Sequence, residues 1–404
     1  MKSLLGRVEP YAGDPILLLN EVYERDPRVD KANLGIGVYL GEDGAIPVLQ
    51  SVRLASERIG IQVRGYLPME GHPRYRDLVC ELVLGKGHPA VLAGRVTTIQ
   101  TVGSTGGISL AADLLAKQCP GRQVYVSDPS WDNHHGLFQR AGFRTSTYPY
   151  WNPKTRSLDF DGLIRALREA RDSSIIVVQP VCHNPTGIDL NADQESVLSD
   201  LLLEKRHLVV FDMAYQGFGA GLDEDAGFVR RFAERAVDGG CLIVNSFSKN
   251  LALYGERCGA LTVVCCDKRE AECVLGQLKL AIRNCYATPP MTGALLVSVI
   301  LAEAKLFTCW SDELSGMRER MHRMRQRLAT EIRALADAVD TKFLLEQRGM
   351  FSFAGLSPRQ ISQLRREGVY LLDTGRMCIA GLTSSNVAKV ARCFCAVTKV
   401  ECRK

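Results

Sequence analysis

The chain has 404 residues, of which 46% are hydrophobic and 24% charged, and these proportions exclude a disordered or fibrous protein. The length predicts two or three domains with a large core. The net charge of +5 is small and dispersed along the chain, so it does not indicate a nucleic-acid partner. It would not repel an acidic or phosphorylated small ligand.

The N-terminal segment and the cysteines indicate the compartment. Only a short apolar pair precedes Arg7 and Glu9, which is too short for a secretory signal. No window approaches 18 uninterrupted apolar residues, so we expect no membrane span and a cytoplasmic protein. The 14 cysteines include no C-x-x-C pair and lie mostly in apolar stretches. They predict reduced, mostly buried side chains and no metal site.

The predicted elements begin with Asp14-Pro15, which is typical of a helix start. From about residue 95 to 265, short β-branched runs alternate with helical stretches. The strand runs are VTTIQTV, QVYVSD, SIIVVQP, HLVVFD, CLIVNSF and ALTVVCC, and the helical stretches are LAADLLAKQ, FDGLIRALREA, ADQESVLSDLLLEK and AGFVRRFAERA. Several runs are apolar without alternation, which predicts a mostly parallel sheet covered by helices. Such sheets bind ligands beyond the carboxyl ends of their strands.

A long helix and a smaller α/β unit follow. Apolar residues recur three and four apart, at Trp310, Leu314, Met317, Met321, Met324 and Leu328. The arginines between them (Arg318, Arg320, Arg323, Arg325 and Arg327) are compatible with a coiled coil or a nucleic-acid helix. We favour a helix that packs one face on the core and leaves the arginines solvated, because the seam covers fewer than four heptads. The closing unit contains FLLEQ, FSFAG, VYLLD and RMCIAGL, with helices after Pro358 and from Ser385.

Polar residues follow the first three of these strands. Gly103 begins the stretch GSTGG, where free N–H groups and a helix dipole would favour a phosphate. A plain turn fits that stretch equally well. Trp131 could cover a flat ligand or simply pack in the core. Asn184 precedes Pro185 and is held extended, which could aim its amide into the cleft, although Asn-Pro is also an ordinary turn.

The next two strands carry the more informative residues. Asp212 ends an apolar strand, where a carboxylate is costly unless it meets a cation or a strong donor. Tyr215 lies three residues on. Lys249 follows the next strand, with Arg257 eight residues later. A lysine there is usually a surface residue, but a partly desolvated one is a nucleophile able to form a Schiff base. Together these residues fit a phosphorylated, aldehyde-bearing aromatic ring, which describes pyridoxal phosphate.

Motifs along almost the whole chain point to one family. They are LGIGVY, GYLPMEG, SDPSWDNH, CHNPTG, FDMAYQGFGAG, NSFSKNLALYGERCG, IRNCYATPP, RGMFSFAGLS and GRMCIAGL. With them the chain resembles the fold-type I aminotransferases, in the aspartate/aromatic branch. GYLPMEG, STYP, LYGERCG and GRMCIAGL look most similar to the bacterial aromatic amino-acid (tyrosine) aminotransferases.

The resemblance implies a particular architecture. A large pyridoxal-phosphate-binding domain with a mostly parallel seven-stranded sheet covered by helices would span residues 47–308. A small discontinuous α/β domain would combine residues 14–46 with 309–404, after an N-terminal arm of residues 1–13. The family also implies a homodimer with shared active sites, while the charge and the hydropathy predict no nucleic-acid and no membrane partner.

The resemblance further implies roles around the cofactor ring. Lys249 would carry pyridoxal 5'-phosphate as an aldimine and move the proton, with Asp212 paired to the pyridinium nitrogen. Trp131 would stack on the ring, Tyr215 and Asn184 would bond its phenolic oxygen, and His134 would support Asp212 from behind. The phosphate would be held by Gly103, Ser104, Thr105, Ser246, Ser248 and Arg257, and by Tyr66 of the partner subunit.

Substrate-binding roles are implied in the same way. Arg376 would clamp the α-carboxylate, and Gly37 would let the backbone approach the substrate, beside Trp131 and Asn184. Arg283, from the other subunit, would face a distal carboxylate or swing aside for an aromatic ring. The chain departs from the family pattern at Cys285 and Ala287, beside Arg283, and at Gly103-Ser104 and Gly107 in the phosphate loop.

The implied activity is a ping-pong transfer of the amino group of tyrosine or phenylalanine, and of aspartate, to 2-oxoglutarate. An aspartate aminotransferase with dicarboxylates as its main substrates is the alternative. A β-decarboxylase or lyase could use the same scaffold. A dinucleotide dehydrogenase would need a G-x-G-x-x-G turn, which is missing. A sensor that keeps the cofactor only as a ligand would need an appended domain, and the resemblance uses the whole chain.

Overall fold

Helices and strands alternate along the chain in a computed structural model that describes residues 3–60 and 65–399. The α-helices are α1 (Pro15–Arg25), α2 (Gln50–Ile59), α3 (Pro73–Leu84), α4 (Pro89–Leu92), α5 (Gly103–Gln118), α6 (Asn133–Arg140), α7 (Phe160–Glu169), α8 (Ala192–Glu204), α9 (Leu222–Arg235), α10 (Lys268–Cys285), α11 (Thr292–Ala302), α12 (Ala304–Leu335), α13 (Lys342–Glu346), α14 (Pro358–Arg366) and α15 (Val387–Lys399). Short 3-10 helices cover Leu4–Arg7 and Ile379–Gly381. The strands are β1 (Ala32–Asn33), β2 (Val96–Val102), β3 (Gln123–Asp128), β4 (Arg144–Pro149), β5 (Trp151–Asn152), β6 (Ser157–Leu158), β7 (Ile175–Val178), β8 (Leu208–Met213), β9 (Cys241–Ser246), β10 (Cys258–Val264), β11 (Phe351–Phe353), β12 (Val369–Tyr370) and β13 (Arg376–Cys378).

The main sheet of the described residues has seven strands in the order β2-β10-β9-β8-β7-β3-β4. Only β10 runs antiparallel to its neighbours, so the prediction of a mostly parallel sheet is confirmed. All six predicted runs form strands of this sheet. The seventh, β4, escaped the residue pattern because it is an edge strand in which only Tyr148 is buried.

The central strands bring the chemically important residues to one edge of the sheet. β7, β8 and β9 are mutually parallel, so their carboxyl ends meet there. Asp212 is the penultimate residue of β8 and pairs with Val244 of β9. Lys249 lies in the turn that follows β9. Every residue of β9 and β10 is buried, which fixes this edge firmly.

The described residues also form three two-stranded sheets, of which β5 and β6 make an antiparallel hairpin. β1 pairs in parallel with β12, and β11 pairs with β13 so that Phe353 lies opposite Arg376. The N-terminal segment is therefore joined to the C-terminal part of the chain. The run FLLEQ, in contrast, lies mostly in the helix α13. The domain division at residues 14–46, 47–308 and 309–404 stays a prediction, and α12 crosses residue 309 without a break.

The long predicted helix is α12, and its apolar stripe is buried as expected. The prediction of a fully solvated arginine face is wrong for Arg320 and Arg325, which are buried. Both lie next to the apolar stripe at helical spacing, so they face the core. Arg320 donates to the carbonyl of Leu382, and Arg325 donates to the carbonyls of Gly349 and Phe351.

Three further expectations concern features of the whole chain. Within residues 3–60 and 65–399, no single helix is long and apolar enough to cross a membrane, and only α11 and α12 taken together, with a bend of 101°, reach that length and composition.

No disulfide joins the thirteen cysteines of this part of the chain. The expectation that most are buried was too broad, since Cys266, Cys273 and Cys285 are exposed. The same residues contain no cluster of His, Cys, Asp and Glu that could hold a metal ion.

Candidate active site

A cavity of about 260 Å³ opens at the carboxyl ends of the parallel strands. It gathers most of the predicted site residues, which are Gly37, Ser104, Thr105, Trp131, Asn184, Asp212, Tyr215, Ser248, Lys249, Arg257 and Arg376. A larger cavity of about 740 Å³ lies near the opposite ends of the strands and contains none of the predicted residues. The smaller cavity is therefore the candidate site, because it is the one where titratable and polar groups converge.

Lys249 projects into this cavity from the turn after β9. Its side chain is only partly accessible, on the side that faces the cavity, and is otherwise surrounded by protein atoms. Burial is the main reason that the pKa of the Lys249 amine is lowered to about 8; Asp212 opposes this shift, and the charges of Arg257 and Arg376 contribute to it. The amine lies 5.7 Å from the centre of the Tyr215 ring. A lysine in this state carries an appreciable neutral fraction near physiological pH, which suits it to act as a nucleophile or a base.

Asp212 is buried and held by a chain of hydrogen bonds. His134 Nε2 donates to Asp212 Oδ2 over 2.9 Å, and His134 Nδ1 lies 2.8 Å from the Ser130 hydroxyl. The ring of Trp131 meets that of His134 edge to face at 5.2 Å. The second carboxylate oxygen, Oδ1, is buried without a hydrogen-bond partner among the described residues. A buried carboxylate with one oxygen left over is ready to accept from a cationic donor in the cavity.

The substrate side of the cavity centres on Arg376, which is buried. Its Nη2 donates to the carbonyl of Gly35 over 2.7 Å, and its Nη1 donates to Asn184 Oδ1 over 3.4 Å. The guanidinium lies over the ring of Phe351 at 4.4 Å. Its Nε has no partner among the described residues. The Asn184 amide also donates to the Tyr215 hydroxyl at 3.5 Å, so one amide joins both groups.

The opposite end of the cavity is cationic and rich in hydroxyls. Arg257 Nη1 donates to Ser248 Oγ over 3.2 Å, and the Ser246 hydroxyl donates to the same Ser248 oxygen over 3.0 Å. A Cβ on Gly103 would lie 2.4 Å from Arg257 Nη2, and Gly103 has a φ of +65°. Glycine is favoured there because this φ is left-handed, and because a side chain would displace the Arg257 guanidinium from its present position. The first turn of α5 adds free backbone N–H groups, which favour an anion.

Some predicted residues lie outside the cavity wall. Gly103 and Ser246 are just behind it, in contact with Arg257 and Ser248 respectively. Tyr66 is 95% exposed, and Arg283 near the end of α10 is also exposed. Neither lines the cavity of its own chain. Their assignment to a neighbouring subunit's site stays a prediction.

Six residues that line the cavity were not predicted from the sequence: Ile16, Val38, Gln179, Ala214, Tyr254 and Phe351. Gln179 follows β7. Its side-chain amide donates to the Asn184 carbonyl and accepts from the Asn184 backbone N–H, each over 2.9 Å. A polar residue that ends an apolar strand is the same signal that singled out Asp212, so Gln179 could have been found. Tyr254 and Phe351 also line the cavity. Nothing distinguishes an aromatic residue of this kind from core packing before the fold is known.

The cavity suits pyridoxal phosphate on three independent observations. The free Asp212 oxygen matches a protonated ring nitrogen, and the Lys249 amine matches an aldehyde. The end formed by Arg257, Ser248 and the α5 N-terminus matches a phosphate. The residues present therefore fit the group in its charge, its polarity and the order of its parts.

Comparisons with known proteins agree with this geometry. The family model for aminotransferase class I and II matches residues 29–394. The chain is 45% identical to the aromatic-amino-acid aminotransferase of Escherichia coli over 98% of this chain and all of that protein. It is 42% identical to the aspartate aminotransferase of Pseudomonas aeruginosa over 96% and 98% of the two chains.

A solved structure adds the cofactor. The aromatic-amino-acid aminotransferase of Burkholderia pseudomallei, described as covalently bound to pyridoxal phosphate, superposes with a TM-score of 0.94 at 43% identity over 98% of this chain and 99% of that one. Pyridoxal phosphate is the cofactor of this family. The implied fold and the implied enzyme class are confirmed. The chain belongs to the class I and II aminotransferases.

Proposed function

We propose that this aminotransferase moves the amino group of tyrosine, phenylalanine and, less efficiently, aspartate to 2-oxoglutarate, with pyridoxal phosphate held on Lys249. The observation that carries the proposal is the meeting of the Lys249 amine, the free Asp212 oxygen and two arginines in one cavity. The close similarity to both aromatic and aspartate aminotransferases supports the pair of substrate classes.

The cofactor, when bound, supplies an aldehyde that takes up amino groups and a ring that accepts electrons. The residues of the chain provide the surroundings for this chemistry. Asp212 holds a proton on the ring nitrogen through its free Oδ1, and His134 keeps the carboxylate in place. Lys249, with its pKa lowered to about 8 by burial, moves the substrate's Cα proton as a general base. Arg257 and the α5 N-terminus bind the phosphate.

At the substrate side, Arg376 binds the α-carboxylate. Its guanidinium is fixed on one face by Phe351 and at one edge by the Gly35 carbonyl, so it presents a preformed fork to a carboxylate. Gly37 lies close to both of these side chains. A Cβ at Gly37 would be 3.4 Å from the Phe351 ring and 3.9 Å from the Arg376 guanidinium. A side chain at Gly37 would narrow the space in which the carboxylate sits.

The preference for aromatic substrates has its own support. Ile16, Val38 and Phe351 give the substrate side an apolar wall. The chain's own Arg283 is exposed and does not reach this cavity. Arg283 and Tyr66 would instead complete the site of a second copy in a homodimer. Aspartate would then use the partner's Arg283, and an aromatic ring would contact the apolar wall.

The test is kcat/KM for tyrosine, phenylalanine and aspartate, each with 2-oxoglutarate. We expect turnover with all three and higher kcat/KM for the two aromatic substrates. The alternative function, an aspartate aminotransferase, predicts a higher kcat/KM for aspartate than for either aromatic substrate. Formation of a lyase or decarboxylase product without a 2-oxo acid would contradict the proposed reaction itself.

A further inference from the structure

The N-terminal helix α1 lies against the substrate side of the cavity, yet it is thinly attached. Of its residues, all within the described part of the chain, only Leu19 is buried. Leu17, Leu18 and Val22 are 63%, 43% and 49% exposed. A helix with so few buried contacts belongs to the least stable parts of a fold. The few contacts it makes are therefore decisive for its position.

Leu19 and Tyr23 of α1 pack against Tyr370, and the contacts closest to the cavity meet at Asn33, the last residue of β1. Asn33 Nδ2 donates to Asn20 Oδ1 of α1 over 2.8 Å. The other end of the same amide, Asn33 Oδ1, accepts the backbone N–H groups of Gly35 and Ile36 at 3.1 and 3.3 Å. Asn33 is only 8% exposed, so water competes little for these bonds. One buried side chain thus ties the helix to the loop.

The loop in turn holds the substrate-binding arginine. The carbonyl of Gly35 accepts from Arg376 Nη2 over 2.7 Å. Leu19 of α1 packs against Gly35 so closely that a Cβ on Gly35 would lie 2.4 Å from Leu19 Cδ2. The peptide of Gly35 is therefore fixed from one side by Leu19 and from the other by Asn33. The carbonyl that accepts from Arg376 therefore belongs to a peptide that α1 contacts directly.

We propose that Asn20 and Asn33 are positioning residues for substrate binding, because their hydrogen bond docks α1 and thereby orients the Gly35 carbonyl that holds Arg376. The proposal rests on the role of Arg376 in the proposed function. It makes the position of the mostly exposed helix α1 part of the carboxylate site. Carboxylate binding should in return stabilise the docked helix.

The test uses the cofactor-loaded enzyme and four variants. Asn20→Ala removes the acceptor, and Asn20→Asp keeps an acceptor for the Asn33 amide. Asn33→Ala removes the bridge to the loop as well. Val22→Ala is the matched control, since it changes an exposed residue of the same helix. Each variant is compared for KM and kcat with tyrosine and for the Kd of 3-phenylpropionate, a carboxylate that lacks the amino group.

We expect Asn20→Ala to raise both the KM for tyrosine and the Kd of 3-phenylpropionate by about threefold to tenfold, the range for one lost neutral hydrogen bond. The kcat should change by less than about twofold, because the interaction lost is one of uniform binding. Asn33→Ala should have a larger effect than Asn20→Ala. Asn20→Asp and Val22→Ala should behave like the unsubstituted enzyme.

Amide hydrogen exchange gives a readout that does not depend on turnover. In the unsubstituted enzyme, 3-phenylpropionate should slow exchange across α1, and Asn20→Ala should abolish that effect. Unchanged KM, Kd and exchange in Asn20→Ala, with only a lower Tm, would overturn the proposal and leave a purely structural bond. An unsubstituted enzyme that binds 3-phenylpropionate and protects α1, yet transfers no amino group, would instead contradict the proposed function alone.

Discussion

The two sides of the cavity are built in different ways. The sheet side carries Asp212 and Lys249 at the ends of strands whose residues are almost all buried. The N-terminal side consists of α1, of which only Leu19 is buried, and the segment 33–39, which is held largely by individual hydrogen bonds. The groups that perform the chemistry are thus fixed by the core. On the substrate side Arg376 itself lies in the buried strand β13, but the Gly35 carbonyl that accepts from it lies in the N-terminal loop. Changes on the sheet side should affect kcat, and changes on the N-terminal side should affect KM.

Among substitutions on the sheet side, Lys249→Ala should cause the largest loss of turnover. The substitution removes the general base and the attachment point of the cofactor, so turnover should fall by more than about 10⁴-fold, together with the visible absorbance of the bound cofactor. Lys279→Ala is the control, because Lys279 is a partly exposed lysine paired with Glu70. Turnover near the unsubstituted level in Lys249→Ala would contradict the role of Lys249 as general base and cofactor attachment point.

Asp212→Ala should have the next largest effect. Without the carboxylate the ring nitrogen loses its charged partner, and the rate of proton abstraction should fall by about 10²- to 10³-fold, as for loss of one preorganised electrostatic contact. Cofactor attachment to Lys249 should survive. Stopped-flow measurement of a single turnover separates the two effects, and an unchanged rate would contradict the role given to Asp212.

A third prediction concerns the stability of the cofactor-free protein. Burial lowers the pKa of the Lys249 amine from its usual 10.5 to about 8, a difference worth about 3 kcal/mol. Below pH 8 both the folded and unfolded chains bind this proton, but the folded chain binds it less strongly, so the charged amine destabilises the fold. Between pH 8 and 10.5 the unfolded chain binds more protons, so this penalty shrinks as the pH rises.

Lys249→Met should therefore raise the Tm of the cofactor-free protein at pH 7, and the gain should be smaller at pH 9.5. Lys279→Met, at a site on the surface of the same domain, should give no such gain. A lower Tm for Lys249→Met at pH 7 would contradict the prediction that the buried, charged Lys249 amine destabilises the folded protein. The comparison requires cofactor-free protein, since a bound ligand stabilises the native state by mass action.

The sequence predicted the sheet side better than the N-terminal side, for a physical reason. Buried strands leave long apolar runs, and a polar residue that ends such a run, like Asp212, is conspicuous. The edge strand β4 lacks this signal because it is mostly polar. The contact of Asn33 with Asn20, 13 residues away, joins two ordinary residues through tertiary geometry, which no local pattern encodes. The buried position of Arg325 was missed although it lies next to the apolar stripe at helical spacing, because its acceptors, backbone carbonyls 24 and 26 residues away, are not visible in the sequence.

The most direct test of the account is to reduce the cofactor-loaded enzyme with borohydride, digest it and locate the pyridoxyl group by peptide mass spectrometry. The account predicts a single modified lysine at position 249, and no modified lysine in the same digest of Lys249→Ala. A pyridoxyl group on a different lysine, or the absence of any covalent group from an active enzyme, would contradict it.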